Sequence, residues 1–137
     1  MTSKPPQVTY KGRSLGIVVL VAAQLLIGVV HVASGLWLLG AELSVGVAAN
    51  VAYDVYTLVF GVLVFLFAVW IWQGKKLGWA GTVAVSFFVI AADGLTLLDL
   101  PSIPGIPKPP AFAEIAYSVV LVGYLLTPWV REKFLGS

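Results

Sequence analysis

Four ionisable side chains lie within stretches of sequence that are otherwise apolar: His31, Asp54, Asp93 and Glu114. An imidazole together with carboxyl groups can bind a cation, exchange protons or coordinate a metal ion. A charged side chain near the middle of a bilayer costs about 2.5–3.5 kcal/mol on insertion scales, so such residues are usually paired or functional. These residues are therefore the first candidates for a site.

The same four residues fall at one depth when each apolar stretch is treated as a helix. His31 and Asp93 each lie sixteen residues after the start of their stretch, which is roughly 24 Å along a helix. Asp54 and Glu114 lie nineteen and sixteen residues before the end of theirs. We therefore expect all four within a few ångströms of one level, in the outer half of the protein.

Further polar residues share the helical faces of these four, because side chains three or four positions apart lie on one stripe of a helix. They are Gln24 on the first stretch, Asn50 and Thr57 on the second and Tyr117 on the fourth. The complete candidate pocket is Gln24, His31, Asn50, Asp54, Thr57, Asp93, Glu114 and Tyr117. Three interpretations are open: a polar plug that holds the helices in register, an outward-opening pocket for a small cation or protons, and a contact between subunits. Gln24, deep in its stretch, is expected to make an interhelical hydrogen bond.

A search for catalytic or cofactor motifs is negative. The chain has no cysteine and one histidine, which excludes thiolate chemistry and a haem held by two histidines of one chain. Zinc with one histidine and carboxylates is chemically allowed, but no HExxH or Glu-x-x-His spacing is present. No phosphate loop, dinucleotide fingerprint or nucleophile elbow occurs. We expect no catalytic residue, no metal site and no cofactor, and we expect the aromatic run Phe60, Phe65, Phe67, Trp70 and Trp72 to face lipid.

Composition identifies the environment. The 137 residues are 60% hydrophobic and only 10% charged, against about 25% charged residues in soluble domains. A domain of this size buries only about 60–70% of its surface, so a water-soluble fold could not hide so much apolar area. These values indicate an integral membrane protein and argue against a nucleic-acid binder.

Four apolar stretches are long enough to span a bilayer as helices, which takes about 20 residues each. They cover about 15–39, 51–73, 77–98 and 112–130. Short connections make sequential helices antiparallel. The prediction is an all-α membrane protein, with one domain over 15–135 that forms an antiparallel up-down bundle of four transmembrane helices.

The segments outside these spans have their own signatures. Residues 1–14 read as a polar leader with little structure of its own. Five prolines in 99–111 predict an extended outer loop, because proline has no N–H to donate and interrupts helices. Pro128 should end or kink the fourth helix.

Lysine and arginine predict the orientation. Seven of the eight fall before the first span, between the second and third, or after the fourth, and only Lys108 lies on the other side. Cytoplasmic loops carry an excess of these residues. We therefore expect a multi-pass protein of the cell membrane with both termini in the cytoplasm.

Three segments together resemble an uncharacterised family of small four-span archaeal and bacterial integral membrane proteins. They are KGRSLGIVVLVAAQLLIGVVHVASGLWLL, the turn WIWQGKKLGWAG and the ending YLLTPWVREKFLG. The resemblance implies the fold and the topology but no activity. His31, Asp54 and Asp93 match no motif of this family, and the proline-rich loop departs from its shorter connection.

Two functions fit these observations. The first is a small non-enzymatic membrane protein that serves as a structural or accessory subunit of a larger assembly. The second is a small transporter or ligand-binding protein that uses the outward-facing polar pocket. The expected partners are the lipid bilayer and either other membrane subunits or further copies of the chain, with no nucleic acid.

Overall fold

The computed structural model describes residues 9–10, 13–44, 51–100 and 108–135. Five helices dominate these residues: α1 (Leu15–Ser44), α2 (Val51–Trp72), α3 (Lys76–Leu97), α4 (Lys108–Leu125) and α5 (Pro128–Leu135). Before them, β1 (Thr9–Tyr10) pairs antiparallel with β2 (Arg13–Ser14). The segment expected to be a leader with little structure thus carries a two-residue β-ladder directly before α1.

Three helices, α1, α2 and α3, are long and apolar enough to cross a membrane. The α4–α5 pair qualifies only when taken together, and it is bent by 71° at the break. Apart from the short β-ladder, the described residues are helical, with three helices that could cross a membrane, or four candidate spans if the bent pair is one span. Exposed apolar side chains cover the surface of the bundle; Leu26, for example, is 66% exposed and Val120 is 72% exposed. An apolar surface of this kind is suited to contact with lipid.

Two helix boundaries differ from the expected spans. Helix α1 continues to Ser44, five residues beyond its expected end. Helix α4 begins at Lys108, inside the segment expected to be an extended loop. Pro109 and Pro110 occupy its first turn, where the backbone N–H groups have no intrahelical partner. Proline therefore costs little there, and these two prolines start the helix where they were expected to prevent one.

The break between α4 and α5 lies at Pro128, where the sequence predicts an interruption. Because Pro128 has no N–H, the Tyr124 carbonyl instead accepts from the backbone N–H of Thr127 at 3.2 Å and from its hydroxyl at 2.6 Å. The Leu125 carbonyl accepts from Trp79 Nε1 of α3 at 2.8 Å. The carbonyls of Tyr124 and Leu125 thus have hydrogen-bond partners at the break, as a low-dielectric environment requires.

Consecutive helices pack antiparallel, and α1 and α2 approach most closely. A Cβ added at Gly28 would lie 2.8 Å from the Cβ of Phe65, and one at Gly35 would lie 2.9 Å from the backbone nitrogen of Leu58. A Cβ at Gly61 would lie 2.8 Å from an α1 backbone nitrogen. Real Cβ atoms do not approach that closely, so only glycine permits this contact between the two backbones.

The two ends of the bundle differ in charge. At one end, called the basic end here, the α2–α3 turn carries Lys75 and Lys76, and α5 carries Arg131 and Lys133. Helix α5 folds across this end and completes its apolar core, which consists of Ile17, Leu20, Val21, Ile71, Leu121, Leu125, Val130 and Phe134. At the opposite end, called the far end, α3 stops and α4 begins, and Asp99 and Lys108 form an exposed ion pair.

Candidate functional site

A cavity of about 230 Å³ lies between α1, α2, α3 and α4. Its lining residues lie in the half of the bundle toward the far end. Each of the four helices contributes to the wall, and the full lining is Gln24, Ile27, His31, Tyr53, Tyr56, Thr57, Phe60, Val64, Val85, Ser86, Val89, Asp93, Ala113, Glu114, Tyr117, Ser118 and Leu121. The cavity is larger than the engineered one of roughly 150 Å³ that holds benzene, so a small organic molecule fits it.

The structure brings most of the candidate residues together around this cavity: Gln24, His31, Thr57, Asp93, Glu114 and Tyr117. Asn50 lies outside the described residues. Asp54 is buried, at 1% exposure, but does not line the cavity. Successive residues of a helix are rotated by about 100°, so Asp54 and the cavity-lining Tyr53 occupy different faces of α2.

The strongest polar feature of the cavity is the pair Asp93 and Glu114. Asp93 is 1% exposed, and its Oδ2 has no hydrogen-bond partner among the described residues. Glu114 of α4 is within hydrogen-bonding reach of the Asp93 carboxyl group. Among the described residues, no lysine or arginine lines the cavity. An unpaired polar atom in an apolar interior carries a desolvation cost of about 1–3 kcal/mol, and a hydrogen-bond donor or a cation beside this oxygen would offset that cost.

Within the described residues, His31 forms no ion pair with Asp54 or Asp93. Its Nδ1 donates a hydrogen bond to the Ile27 carbonyl one turn earlier, at 2.8 Å. A backbone carbonyl cannot donate, so Nδ1 carries a hydrogen. The imidazole is thereby held by its own helix, and its edge is part of the cavity wall.

An aromatic row on α2 was missed at the level of sequence. The ring centroids of Tyr53 and Tyr56 lie 6.4 Å apart, those of Tyr56 and Phe60 lie 5.9 Å apart, and Phe60 lies 5.0 Å from the His31 ring. Phe60 was expected to face lipid, but it lines the cavity. The available signal was spacing, since Phe60 follows the candidate Thr57 by three residues and therefore shares its stripe.

A hydrogen bond between α1 and α4 closes one side of the cavity. Tyr117 Oη donates to Gln24 Oε1 at 2.6 Å, which confirms the expected interhelical role of Gln24. Outside this bond, a groove of about 390 Å³ on the bundle surface shares Tyr117 and Leu121 with the cavity. The Tyr117 side chain is therefore a partition between the cavity and the surface.

The arrangement suits binding of an organic molecule better than binding of a metal ion. Within the described ranges, no group of three or more His, Asp or Glu side chains could hold a metal ion. The cavity instead combines one carboxyl pair with aromatic and aliphatic walls, a combination typical of small-molecule sites.

The chain was compared with known proteins. No protein-family model, curated protein or solved structure matches it. The resemblance to small four-span proteins stays a prediction, and the functional argument rests on the geometry of the cavity.

Proposed function

We propose that this chain is a four-span membrane protein that binds a small molecule in the cavity between its helices. The observation that carries the proposal is the buried Asp93 carboxyl in the wall of a cavity large enough for a ligand, because its Oδ2 has no hydrogen-bond partner among the described residues. A polar plug, one of the two other interpretations of these residues, would satisfy its buried polar groups internally. An accessory-subunit role stays a prediction.

The proposed topology makes the α4–α5 pair the fourth span and places both termini in the cytoplasm. The distribution of charge supports this, because Lys75, Lys76, Arg131 and Lys133 lie at the basic end, and cytoplasmic segments are enriched in such residues. Under this topology the cavity lies toward the outer face. Transport would also require a conformation open to the cytoplasm, so ligand binding is the step that we propose.

Cysteine labelling tests the cavity and its orientation together, because the chain contains no cysteine of its own. Ser118 of α4 lines the cavity, whereas Ala116 of the same helix is exposed on the bundle surface and does not. We expect Ser118→Cys to react with a membrane-impermeant methanethiosulfonate added outside intact cells. Ala116→Cys should be protected by lipid.

If depth alone decided reactivity, Ala116→Cys would react more readily than Ser118→Cys, because Ser118 is about 3 Å farther along α4 from the far end. Reaction of Ala116→Cys with an unreactive Ser118→Cys would contradict a water-filled cavity. Reaction of Ser118→Cys only in inverted vesicles would contradict the outward orientation and leave the cavity in place.

A further inference from the structure

We infer that the cavity ligand is a small organic cation with one positive charge, held by the Asp93–Glu114 pair and packed against the aromatic row of α2. This inference rests on the proposed function and adds the chemical class of the ligand. It depends on four observations: the charge of the carboxyl pair, the unpartnered carboxyl oxygen, the aromatic wall and the size of the cavity.

The carboxyl pair selects the charge of the ligand. Two carboxyl groups that share a hydrogen bond need at least one proton between them, because an ionised carboxylate can only accept. With one proton, the pair carries a single negative charge, and this is the form that we propose binds the ligand. No lysine or arginine of the described ranges lines the cavity to neutralise that charge. A monovalent cation compensates it, whereas an anion would be repelled and a divalent cation would leave an excess positive charge.

The position of Asp93 shows where the cation would bind. The side chain is 1% exposed, and Oδ2 has no hydrogen-bond partner among the described residues. Its neighbour Glu114 is near the mouth of the cavity, next to the exposed lining residue Ala113. An ammonium group can donate hydrogen bonds to both carboxyls at once, which a neutral alcohol with one hydroxyl hydrogen cannot do.

The aromatic row selects an organic cation. Tyr53, Tyr56 and Phe60 line the same cavity as the carboxyl pair, and ring faces attract cations by about 2 kcal/mol or more when water is excluded. A volume of about 230 Å³ far exceeds that of a bare alkali ion. The described residues also offer no group of three or more ligating side chains for a metal ion. A compact amine with an apolar body satisfies all three conditions.

Three probes of one shape and different charge test the inference: benzylammonium, benzyl alcohol and benzoate. Binding is measured by calorimetry with the full chain in nanodiscs, and empty nanodiscs correct for partitioning into lipid. We expect benzylammonium to bind the native chain about 30-fold more tightly than benzyl alcohol, and benzoate not to bind.

Conservative variants locate the binding. Asp93→Asn keeps the side-chain shape and should weaken the binding of benzylammonium about 30-fold. Its affinity for benzyl alcohol should stay within about twofold of that of the native chain. Glu114→Gln should act in the same direction, and Phe60→Leu should weaken benzylammonium by about threefold to tenfold. The matched control is Glu132→Gln, which removes an exposed carboxyl at the basic end and should change neither probe.

The outcomes separate this inference from the proposed function. Equal affinity for benzylammonium and benzyl alcohol, in both the native chain and Asp93→Asn, would overturn the cationic ligand and leave a cavity that binds small molecules. Absence of binding by all three probes would also overturn the cationic ligand. The labelling of Ser118→Cys would then decide on the cavity independently.

Discussion

Helix α1 has two sides that are built differently. Toward α2, glycines bring the backbones into contact, with Gly28 set against Phe65 and Gly35 against Leu58. Toward α4, the backbones stay farther apart, and long side chains reach across, as in the bond from Tyr117 to Gln24. The comparison shows how a small bundle can contain a cavity. Glycines, which have no side chain, let α1 and α2 pack closely, whereas tyrosine side chains span the wider gap between α1 and α4.

The two interfaces also place their polar groups differently. The close contact between α1 and α2 uses shape and needs no side-chain hydrogen bond at its glycines. The wider α1–α4 side depends on hydroxyl groups at Tyr117 and Tyr124, and Tyr124 Oη shares a 3.3 Å hydrogen bond with Ser14 Oγ. We therefore expect substitutions at the glycines of the first interface to destabilise the fold more than the loss of a tyrosine hydroxyl in the second.

The largest effect is expected from Gly28→Leu. A side chain at this position meets Phe65 and the backbone of α2, so the helices must separate, and we expect the free energy of unfolding to fall by about 3 kcal/mol or more. The matched control is Gly40→Leu on the same helix, because a Cβ at Gly40 has nothing within 4 Å. Unfolding in mixed micelles measures both variants, and equal stabilities would show that the glycine contact is unimportant.

An intermediate effect is expected from Tyr117→Phe, which removes the hydroxyl and leaves Gln24 Oε1 without that donor. The expected loss is about 1 kcal/mol, near the upper range for hydrogen bonds between membrane helices. A double-mutant cycle with Gln24→Leu should show a coupling of similar size. Strictly additive losses would mean that this hydrogen bond does not hold α1 and α4 together.

The smallest effect is expected from Tyr124→Phe, about 0.5 kcal/mol or less, because its hydrogen bond to Ser14 is long at 3.3 Å. Ser14→Ala should cost more, since Ser14 Oγ also accepts from the Ile17 N–H at the start of α1, at 3.4 Å. The same micelle unfolding assay ranks the two variants. The reverse ranking would assign the stability of this end to the tyrosine and not to the helix cap.

Much of the fold was predictable, because membrane helices can be recognised from the hydropathy of a short stretch of sequence. The apolar stretches, the turn at Gly74 and the interruption at Pro128 follow from hydropathy and backbone chemistry, and the structure has helices or breaks at each. Gly28 and Gly35 are seven residues apart and therefore lie on one face of α1, where small residues permit close packing. The early start of α4 was not predicted, because proline is compatible with both an extended loop and a first helical turn.

The candidate site was predictable in composition and only partly in geometry. Depth and spacing selected residues that do line the cavity, such as His31, Asp93 and Glu114. They also selected Asp54, which is buried on a different face of α2, and they passed over Phe60. Spacing defines which residues share one face of a helix. A helix in a bundle contacts two neighbours, however, so a buried residue can lie in either contact without facing the cavity.

By itself, the sequence determined that the chain is apolar and helical, which residues break its helices and which few ionisable groups enter the apolar stretches. These properties are local, since each depends on side-chain chemistry and on the period of one helix. Only the tertiary structure decided that α1 lies close to α2 and farther from α4, and that Asp93 and Glu114 meet across a cavity bordered by an aromatic row. Those relations depend on how helices rotate against one another, and that rotation is set by the packing of all four helices together.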